Sequence, residues 1–297
     1  MLNLPKLPEY YIDEIIKTAL KEDINYIDVT TDLLLPPNSQ GKARIIAKAD
    51  GVLAGVELAM RVFTTVYSEL QITYGSDIGD GQNLKKGDVI AEIEGNTAAI
   101  LKAERTALNI LSHMSGIATY TRKCVDAVKT MSSKNGVRIA DTRKTLPGLR
   151  MLQKYAVLCG GGSNHRYNLS AAAMLKDNHI DAYGGITKAV KVLRERAGHM
   201  VLTEVEVRDL DGLREAISVG VDVIMLDNMD IDTMKQAVSI TMDLTKTPKI
   251  SKVPKLEASG NVTLENIQAI AETGIDIISI GALTHSAAAL DISLVWA

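Results

Sequence analysis

Apolar positions in the first third of the chain change repeatedly between helical and strand-like spacing. Residues 9–22 repeat apolar side chains every three to four positions, which is typical of one buried face of a helix. Strand-like runs then lie within 40–54 and over 71–74, with a helix predicted over 56–65 between them. Because these elements are short and mixed, this part of the chain is predicted to form a small α/β domain.

A long helical segment joins this part to the rest of the chain. Apolar positions over residues 97–131 follow the helical period, and the segment contains no proline. Gly116 is its weak point, because glycine costs about 1 kcal/mol relative to alanine inside a helix. We expect one helix to end and another to begin near Gly116, and we predict an N-terminal domain over 1–113 and a second domain over 114–297.

After residue 136, short apolar runs alternate with amphipathic helical segments. This alternation is typical of repeated βα units with parallel strands. Six clear strands do not establish a regular eight-stranded barrel, so an open, irregular barrel is predicted. A last helix over 286–296 is expected to close the barrel or to pack back on the N-terminal domain. The predicted strands are 137–140, 171–175, 201–205, 221–226, 255–258 and 275–280, and the predicted helices are 187–197, 209–219, 230–244 and 263–273.

Ionisable or small polar residues follow every predicted strand. In a parallel barrel all these strand ends meet at one face. Salt-bridge networks could explain one or two such clusters, but a cluster at every end favours an active site. The first ends are rich in cations, the middle ends carry acids, and the last ends carry glycine and serine. In chain order these positions are 141–144, 176–179, Glu206, 227–228, 259–261 and 281–285.

The cations at the first strand ends, and those in the loop between the first two strands, indicate an anionic ligand. Arg143, Lys144, His165, Arg166 and Lys176 would repel one another in one cleft unless a strongly anionic ligand filled it. Glycine and serine at the last ends allow backbone N–H groups to approach a phosphate. The acids in the middle suit a divalent metal or ribose hydroxyls. The pattern therefore predicts a phosphosugar with a diphosphate-like group and an acidic second substrate.

Composition narrows the choice of partners and compartment. The net charge of −3 and the aromatic content of 4% argue against nucleic-acid binding. The two cysteines, Cys124 and Cys159, lack the paired spacing of a disulfide framework or a zinc site. No apolar run reaches the length of a membrane span, and the N-terminus does not resemble a signal peptide. We expect a soluble cytoplasmic protein with no membrane or nucleic-acid partner.

Seven ordered motifs closely resemble those of the quinolinate phosphoribosyltransferase family. The likeness includes residues 104–109 on the long helix and so covers nearly the whole chain. The motifs are Ala-Asp-Thr-Arg-Lys-Thr (140–145), Gly-Gly-Gly-Ser-Asn-His-Arg (160–166), Leu-Lys-Asp-Asn-His (175–179), Glu-Val-Glu-Val (204–207), Met-Leu-Asp-Asn (225–228), Glu-Ala-Ser-Gly-Asn (257–261) and Ser-Ile-Gly-Ala-Leu-Thr-His (279–285).

The resemblance implies a fold and a reaction. The fold would be an N-terminal α/β sandwich followed by an open α/β barrel of about seven strands. The protein would be a homodimer whose active site includes residues from the partner's N-terminal domain. As a decarboxylating pentosyltransferase of NAD biosynthesis, it would convert quinolinate and phosphoribosyl pyrophosphate into nicotinate mononucleotide, pyrophosphate and CO2, with Mg²⁺ as cofactor.

The resemblance also assigns binding roles to positions of this sequence. The cationic substrate pocket would comprise Arg105, Thr142, Arg143, Lys144, His165, Arg166 and Lys176. The 5′-phosphate loops would comprise Ser259, Gly260, Asn261 and Gly281. His285 lies in the last of these loops, where a binding role and an ordinary surface histidine both remain open.

Catalysis would depend on four of the charged residues, namely Lys144, Lys176, Glu206 and Asp227. The two acids would lie near the ribose and would hold Mg²⁺ directly or through the substrate. Arg105 lies outside the predicted barrel, so the partner subunit is expected to supply it. We expect Arg105, Arg143 and Arg166 to bind the two carboxylates of quinolinate, while the two lysines contact the phosphoribosyl group.

Other functions stay open beside this one. A phosphoribosyltransferase for nicotinate would share the fold but would need fewer carboxylate-binding cations. A related protein associated with molybdenum transport is not excluded by composition. A non-catalytic phosphometabolite-binding barrel would explain the cations, but it gives no reason for Glu206 and Asp227 beside them.

Overall fold

The computed structural model describes residues 4–76, 78–129, 136–246 and 252–297. Backbone contacts define two compact units, each assembled from separate segments of the chain. Unit 1 comprises Met1–Arg122, Thr145–Gly161 and Leu283–Ala297, and unit 2 comprises Lys123–Lys144 and Gly162–Ala282. Neither unit is therefore continuous in sequence.

The elements follow the predicted alternation of helices and strands. In chain order they are α1 (Glu9–Asp23), α2 (Val29–Leu34), β1 (Gln40–Ala47), β2 (Gly51–Val52), α3 (Val56–Val66), β3 (Gln71–Tyr74), β4 (Asn83–Leu84), β5 (Val89–Asn96), α4 (Thr97–Lys129), β6 (Arg138–Ala140), α5 (Arg150–Cys159), β7 (Ala173–Leu175), α6 (Asp177–Tyr183), α7 (Ile186–Arg196), β8 (Thr203–Val207), α8 (Leu210–Ser218), β9 (Val223–Asp227), α9 (Ile231–Thr245), β10 (Lys255–Ser259), α10 (Ile267–Ala271), β11 (Ile277–Ser279), α11 (Ala282–His285) and β12 (Ile292–Trp296).

Unit 1 is built around an antiparallel sheet with the strand order β12-β1-β5-β3. On the central strand β1, Ala43, Ile45 and Ala47 are fully buried while Lys42 and Arg44 are partly or fully exposed. Because successive side chains of a strand point to opposite faces, one face of β1 lies in the core. A second pair of short strands, β2 and β4, is also antiparallel. The mixed α/β character predicted for the N-terminal part is confirmed.

The C-terminal segment corrects the prediction of a last helix over 286–296. Residues Ile292–Trp296 form the edge strand β12, which pairs antiparallel with β1 and sets Leu294 opposite Ile45. The apolar residues at the end of the chain include a β-branched pair and a tryptophan, which favour a strand when a sheet edge is available. The spacing of apolar residues could not distinguish a helix from a strand over so short a run.

The long helix α4 is continuous over Thr97–Lys129, so the expected change of helix at Gly116 was wrong. A Cβ atom on Gly116 would lie 2.1 Å from the carbonyl oxygen of Ala288. The glycine therefore permits close approach of another backbone segment instead of ending the helix. Neither α4 nor any other helix in the described ranges is long and apolar enough to cross a membrane.

Unit 2 contains a six-stranded parallel sheet with the order β6-β11-β10-β9-β8-β7. The first and second strands, β6 and β7, lie at opposite edges and are not paired with each other. Ser163 adds an isolated parallel bridge to Ala140 outside β6. This arrangement confirms the prediction of an open α/β barrel. The bridge at Ser163 adds a single paired residue next to β6, beyond the six strands.

Polar side chains set the starts of the helices in unit 2. Asp209 caps α8 as predicted, because its Oδ1 accepts a hydrogen bond from the N–H of Gly212 at 2.8 Å. The helix predicted over 263–273 is shorter and begins at Ile267. The Asn266 side chain explains this difference, since it accepts from the N–H of Thr263 and donates to the carbonyl of Asn261. These bonds hold 261–266 in a turn instead of a helix.

Candidate active site

The unit 2 sheet has one apolar face and one polar face. On β8, Val205 and Val207 are buried on one face, and Glu204 and Glu206 alternate with them on the other. The register of the neighbouring strands aligns Met225 with Glu206 on one side and with Glu257 on the other. The acids of β8 and β10 therefore project from the same face of the sheet.

The carboxyl ends of three strands add further polar groups to this face. Asp227 ends β9, and the register aligns it with Ser259 at the end of β10. Ser259 in turn is aligned with Ser279 at the end of β11. Carboxyl ends of parallel strands are where α/β barrels form their ligand sites. The predicted site residues Asp227 and Ser259 thus lie side by side at the expected edge.

Lys176 and Glu206 form an ion pair at the same edge. The Nζ atom of Lys176, which follows β7, lies 2.5 Å from Oε2 of Glu206. The carboxylate is mostly buried, whereas about half of the lysine side chain is exposed. A short charge-assisted hydrogen bond of this kind fixes both side chains. The structure therefore brings two of the predicted catalytic residues into direct contact.

Two arginines lie close enough to influence each other's charge. Burial and then the neighbouring charge of Arg143 lower the pKa of the Arg166 guanidinium from its ordinary value. Arg166 also donates from Nη1 to the carbonyl of Ala172 at 3.0 Å. Two like charges held together in a partly buried position are stabilised when an anion binds between them. This pair agrees with the predicted anion pocket.

The segment that carries Arg143 is joined to the loop that carries Arg166. Asp141 donates its N–H to the carbonyl of Ser163 at 3.1 Å, and the buried Asp141 carboxylate accepts from the N–H of His165 at 2.9 Å. Thr142 Oγ1 accepts from the N–H of the exposed Lys144 at 2.9 Å. Residues far apart in the sequence thereby reach the same end of the sheet.

The loops after β9 and β10 have unusual backbone conformations. Asn228 and Asn261 have positive φ angles of 52° and 51°, and Gly260 has a φ of 100°. The Asn261 amide donates to Oδ1 of Asn228 at 3.1 Å, and a Cβ atom on Gly260 would lie 2.1 Å from that oxygen. Non-glycine residues with positive φ are concentrated at ligand sites. Only glycine fits at position 260, within the predicted 5′-phosphate loop.

A buried cluster lies on the same face, and sequence reasoning had found only one of its members. His165 Nε2 is 3.1 Å from Oε2 of Glu204 and 3.6 Å from Oε1 of Glu257. The two glutamates are 3% and 1% exposed. Burial and then the charge of Glu204 raise the pKa of Glu257 to about 7. One ligand atom from each residue lies within 4.8 Å of the others, so the cluster could also hold a metal ion.

Family models match both parts of the chain. Residues 28–115 match the quinolinate phosphoribosyl transferase N-terminal domain, and residues 117–295 match the C-terminal domain of the same family. The chain belongs to the quinolinate phosphoribosyltransferase family. The resemblance found from the sequence motifs is therefore confirmed.

Individual members of the family are similar over nearly their full length. A probable nicotinate-nucleotide pyrophosphorylase (carboxylating) from Bacillus subtilis is 45% identical, over 92% of this chain and 89% of that protein. A mitochondrial quinolinate phosphoribosyltransferase (decarboxylating) from Nicotiana tabacum is 40% identical, over 98% of this chain and 83% of that protein. The crystal structure of NadC from Streptococcus pyogenes is 40% identical, with a TM-score of 0.90 and 99% of each chain covered.

Two of the predicted site residues belong to unit 1 of this family member. Arg105 lies on α4 and is exposed. His285 ends α11, where it is also exposed and its Nδ1 lies 2.6 Å from the hydroxyl of Ser286. The residues gathered at the carboxyl edge of the unit 2 sheet are Arg143, Lys176, Glu206, Asp227 and Ser259, together with the connected Thr142, Lys144, His165, Arg166, Gly260 and Asn261 and the position of Gly281 after β11.

Sequence reasoning missed Glu204 and Glu257, although the sequence contained a signal for both. In Thr-Glu-Val-Glu-Val and Lys-Leu-Glu-Ala-Ser, acidic or polar residues occupy every second position. Such alternation predicts a strand whose second face is polar. The prediction from the sequence treats these segments as apolar strands with functional residues only after their ends, so it omits the interior acids from the site.

Proposed function

We propose that this protein is a quinolinate phosphoribosyltransferase. It joins the pyridine nitrogen of quinolinate to the ribose of phosphoribosyl pyrophosphate and releases pyrophosphate and CO2, giving nicotinate mononucleotide. The names of two similar relatives describe this reaction in its forward or reverse direction. The observation that supports it best is the meeting of the arginine pair with the Lys176–Glu206 ion pair and Asp227 at one edge of the sheet.

The arginine pair provides the recognition of quinolinate. A guanidinium group presents parallel N–H donors that match the two oxygens of a carboxylate. Quinolinate carries two adjacent carboxylates, and Arg143 and Arg166 are the two neighbouring guanidinium groups of unit 2. Binding of the dianion relieves the repulsion between these cations. Thr142 and the exposed Lys144 lie on the same segment and complete this side of the pocket.

The other side of the site binds the phosphoribosyl group. Lys176 supplies a positive charge for phosphate oxygens, and Glu206 and Asp227 supply carboxylates for ribose hydroxyls. The 5′-phosphate binds at Ser259, Gly260 and the loop residues Asn261 and Gly281. Glycine at position 260 keeps side-chain atoms away from the backbone, which allows a phosphate to approach it closely.

Mg²⁺ fits this donor set. Glu206 and Asp227 project their hard carboxylate oxygens from the same face of adjacent strands near their carboxyl ends. These residues would hold the ion directly or through the substrate. When bound, Mg²⁺ would neutralise negative charge on the pyrophosphate leaving group.

The charges of the site match the charges that develop during reaction. As the bond between ribose C1 and the pyrophosphate oxygen breaks, its electrons leave with pyrophosphate and the ribose becomes positive. Glu206 and Asp227 stabilise that positive charge, while Lys144 and Lys176 stabilise the leaving group. The pyridine nitrogen then forms the bond to C1 and acquires a positive charge. This cationic ring accepts the electron pair released when the adjacent carboxylate leaves as CO2, and a proton from water replaces the carboxylate.

We propose further that the protein is a homodimer in which Arg105 completes the partner's site. Several large apolar side chains near the N-terminus are exposed, and exposed apolar surface of this kind is often found at protein interfaces. They are Tyr10, Tyr26, Val29, Leu33 and Leu34. Lys102, one turn before Arg105 on α4, forms an ion pair with Asp32 of α2. The exposed Arg105 is therefore close in unit 1 to this apolar surface.

The proposed compartment is the cytoplasm. Cys124 and Cys159 are both free and buried. Free thiols of this kind are typical of a reducing compartment.

The experiment that tests the function is a direct assay of product. The pure protein is incubated with Mg²⁺, phosphoribosyl pyrophosphate and quinolinate labelled with ¹³C in the 2-carboxylate, and nicotinate mononucleotide and labelled CO2 are measured. A parallel reaction with nicotinate replaces the dicarboxylate by its monocarboxylate. Product from quinolinate alone supports the proposal. Product from nicotinate alone indicates the sibling transferase, and binding without product indicates a non-catalytic barrel.

The arginine pair provides the matching variants. Arg143→Ala and Arg166→Ala are expected to raise the KM for quinolinate by about 10- to 100-fold each, because each removes a hydrogen-bonded charge pair. Glu195→Gln on the exposed face of α7 is the control and should leave both KM values unchanged. Equal loss of affinity for both substrates would contradict the assignment of the arginines to quinolinate.

A further inference from the structure

The two ring nitrogens of His165 have different partners, and these partners fix the protonation of the ring. The backbone N–H of Arg166 donates to Nδ1 at 2.8 Å. An atom that accepts this hydrogen bond carries no proton of its own. The proton of a neutral ring must then lie on Nε2. This geometry favours the neutral Nε2–H tautomer of His165 over an imidazolium cation.

Glu204 is the acceptor for that proton. Its Oε2 lies 3.1 Å from Nε2 and its Oε1 lies 3.4 Å away, while Oε1 of Glu257 is more distant at 3.6 Å. The Glu204 carboxylate is almost fully buried on β8, which is paired on both sides in the sheet. A hydrogen bond between a carboxylate and a ring N–H is strong where water is excluded. Glu204 on the rigid strand β8 therefore determines the orientation of the ring.

The ring in turn fixes the residue beside it. The Nδ1 atom accepts from the N–H of Arg166, and the N–H of His165 itself donates to the buried carboxylate of Asp141. The bond to Asp141 and the ring bond to Glu204 therefore hold residues 165 and 166 against the sheet at two points, while the bond to Nδ1 fixes Arg166 to the ring. Arg166 then donates from its side chain to the carbonyl of Ala172, which directs the guanidinium toward its neighbour Arg143.

We propose that Glu204 is a positioning residue for quinolinate binding, which acts through the neutral His165 ring to hold the Arg166 backbone and guanidinium in place. This inference rests on the proposed function for the identity of the substrate. The predicted protonation state of the His165 ring does not depend on that function. Substrate contact remains with the arginines, and Glu204 acts from behind them in the interior of the sheet.

Two substitutions separate the hydrogen bond from the charge. Glu204→Gln keeps a carbonyl oxygen that accepts from Nε2–H, whereas Glu204→Leu removes the acceptor at similar volume. We expect Glu204→Leu to raise the KM for quinolinate by about 10- to 100-fold and that for phosphoribosyl pyrophosphate by less than about twofold. Glu204→Gln should stay within about threefold of wild type for both, as should the control Glu195→Gln. An unchanged Glu204→Leu enzyme, or equal changes for both substrates, would overturn the proposal.

Nuclear magnetic resonance tests the ring without any assay of turnover. The protein is labelled with ¹⁵N in its five histidines, and the His165 signals are identified by their loss in His165→Gln. We expect a protonated Nε2 and an unprotonated Nδ1 in wild type and in Glu204→Gln. A doubly protonated ring, or a proton on Nδ1, would refute the proposal.

A metal analysis of wild-type and Glu204→Gln protein completes the experiment. One equivalent of divalent metal present only in the wild type would mean that the cluster is a metal site, which overturns the hydrogen-bond role. If wild-type protein makes no nicotinate mononucleotide, the proposed function fails. The ring signals still decide whether Glu204 holds His165, so the two failures are distinguishable.

Discussion

Replacing Glu257 by glutamine should change how the stability of unit 2 depends on pH. The carboxyl of Glu257 is 1% exposed on β10 and faces Glu204 from β8, His165 from the loop between α5 and β7, and Ser279 from β11. Burial, and then the charge of Glu204, raise its pKa from 4.5 to about 7. The folded protein therefore keeps this group protonated at a pH where the unfolded chain has lost the proton.

The sign and size of the effect follow from this difference. Below pH 4.5 the group is protonated in both states and costs nothing. As the pH rises from 4.5 through about 7, the folded state binds more protons than the unfolded state, so the free energy of unfolding falls. Each pKa unit corresponds to about 1.4 kcal/mol, so the total loss above pH 7 is about 3 kcal/mol. Glutamine is neutral at every pH and should remove this loss.

Hydrogen exchange can follow the effect within unit 2 alone. The opening free energies of amide groups on β8 and β10 are measured at pH 5 and pH 8, with correction for the intrinsic exchange rate. Glu257→Gln should exceed wild type by about 1 kcal/mol at pH 5 and by about 3 kcal/mol at pH 8. The exposed Glu195→Gln serves as control and should follow wild type. Parallel curves for wild type and Glu257→Gln would show that Glu257 is ionised in the folded protein, and the reasoning would fail.

Two further predictions concern the partner subunit and the backbone of α4. Arg105→Ala should raise the KM for quinolinate far more than that for phosphoribosyl pyrophosphate. If the site is shared, mixing Arg105→Ala and Lys176→Ala chains should restore activity at a quinolinate concentration too low for either variant alone, since one site of each mixed dimer is intact. No recovery after subunit exchange would contradict sharing. Gly116→Ala should destabilise the protein by about 1–3 kcal/mol, because its Cβ would lie 2.1 Å from the Ala288 carbonyl. The control Gly198→Ala meets nothing within 4 Å and should leave the thermal midpoint nearly unchanged.

Local sequence patterns were sufficient for much of the architecture. Asp209 caps a helix through its own side chain three residues away, and the alternation of strands with amphipathic helices identifies parallel βα units. These features depend on contacts between residues that are close in the sequence, so local patterns are enough to predict them. The same alternation predicts that the polar residues after the strands lie together, because parallel strands have their carboxyl ends at one edge of the sheet.

The C-terminal strand was beyond this kind of reasoning. Whether residues 292–296 form a helix or a strand depends on the free edge of β1, which lies more than 240 positions earlier in the sequence. A short apolar segment takes the conformation that its partner allows. The spacing of its own side chains was equally compatible with both.

The sequence by itself determined the alternation of strands and helices in unit 2, the family, and the cations and acids at the strand ends. The tertiary structure alone decided which of these groups meet. It buried Glu204 and Glu257 beside His165, and it placed the Arg166 N–H within hydrogen-bond distance of the ring nitrogen Nδ1. The physical reason is that the charge of a side chain depends on its burial and its hydrogen-bond partners, and both are set by residues distant in the chain.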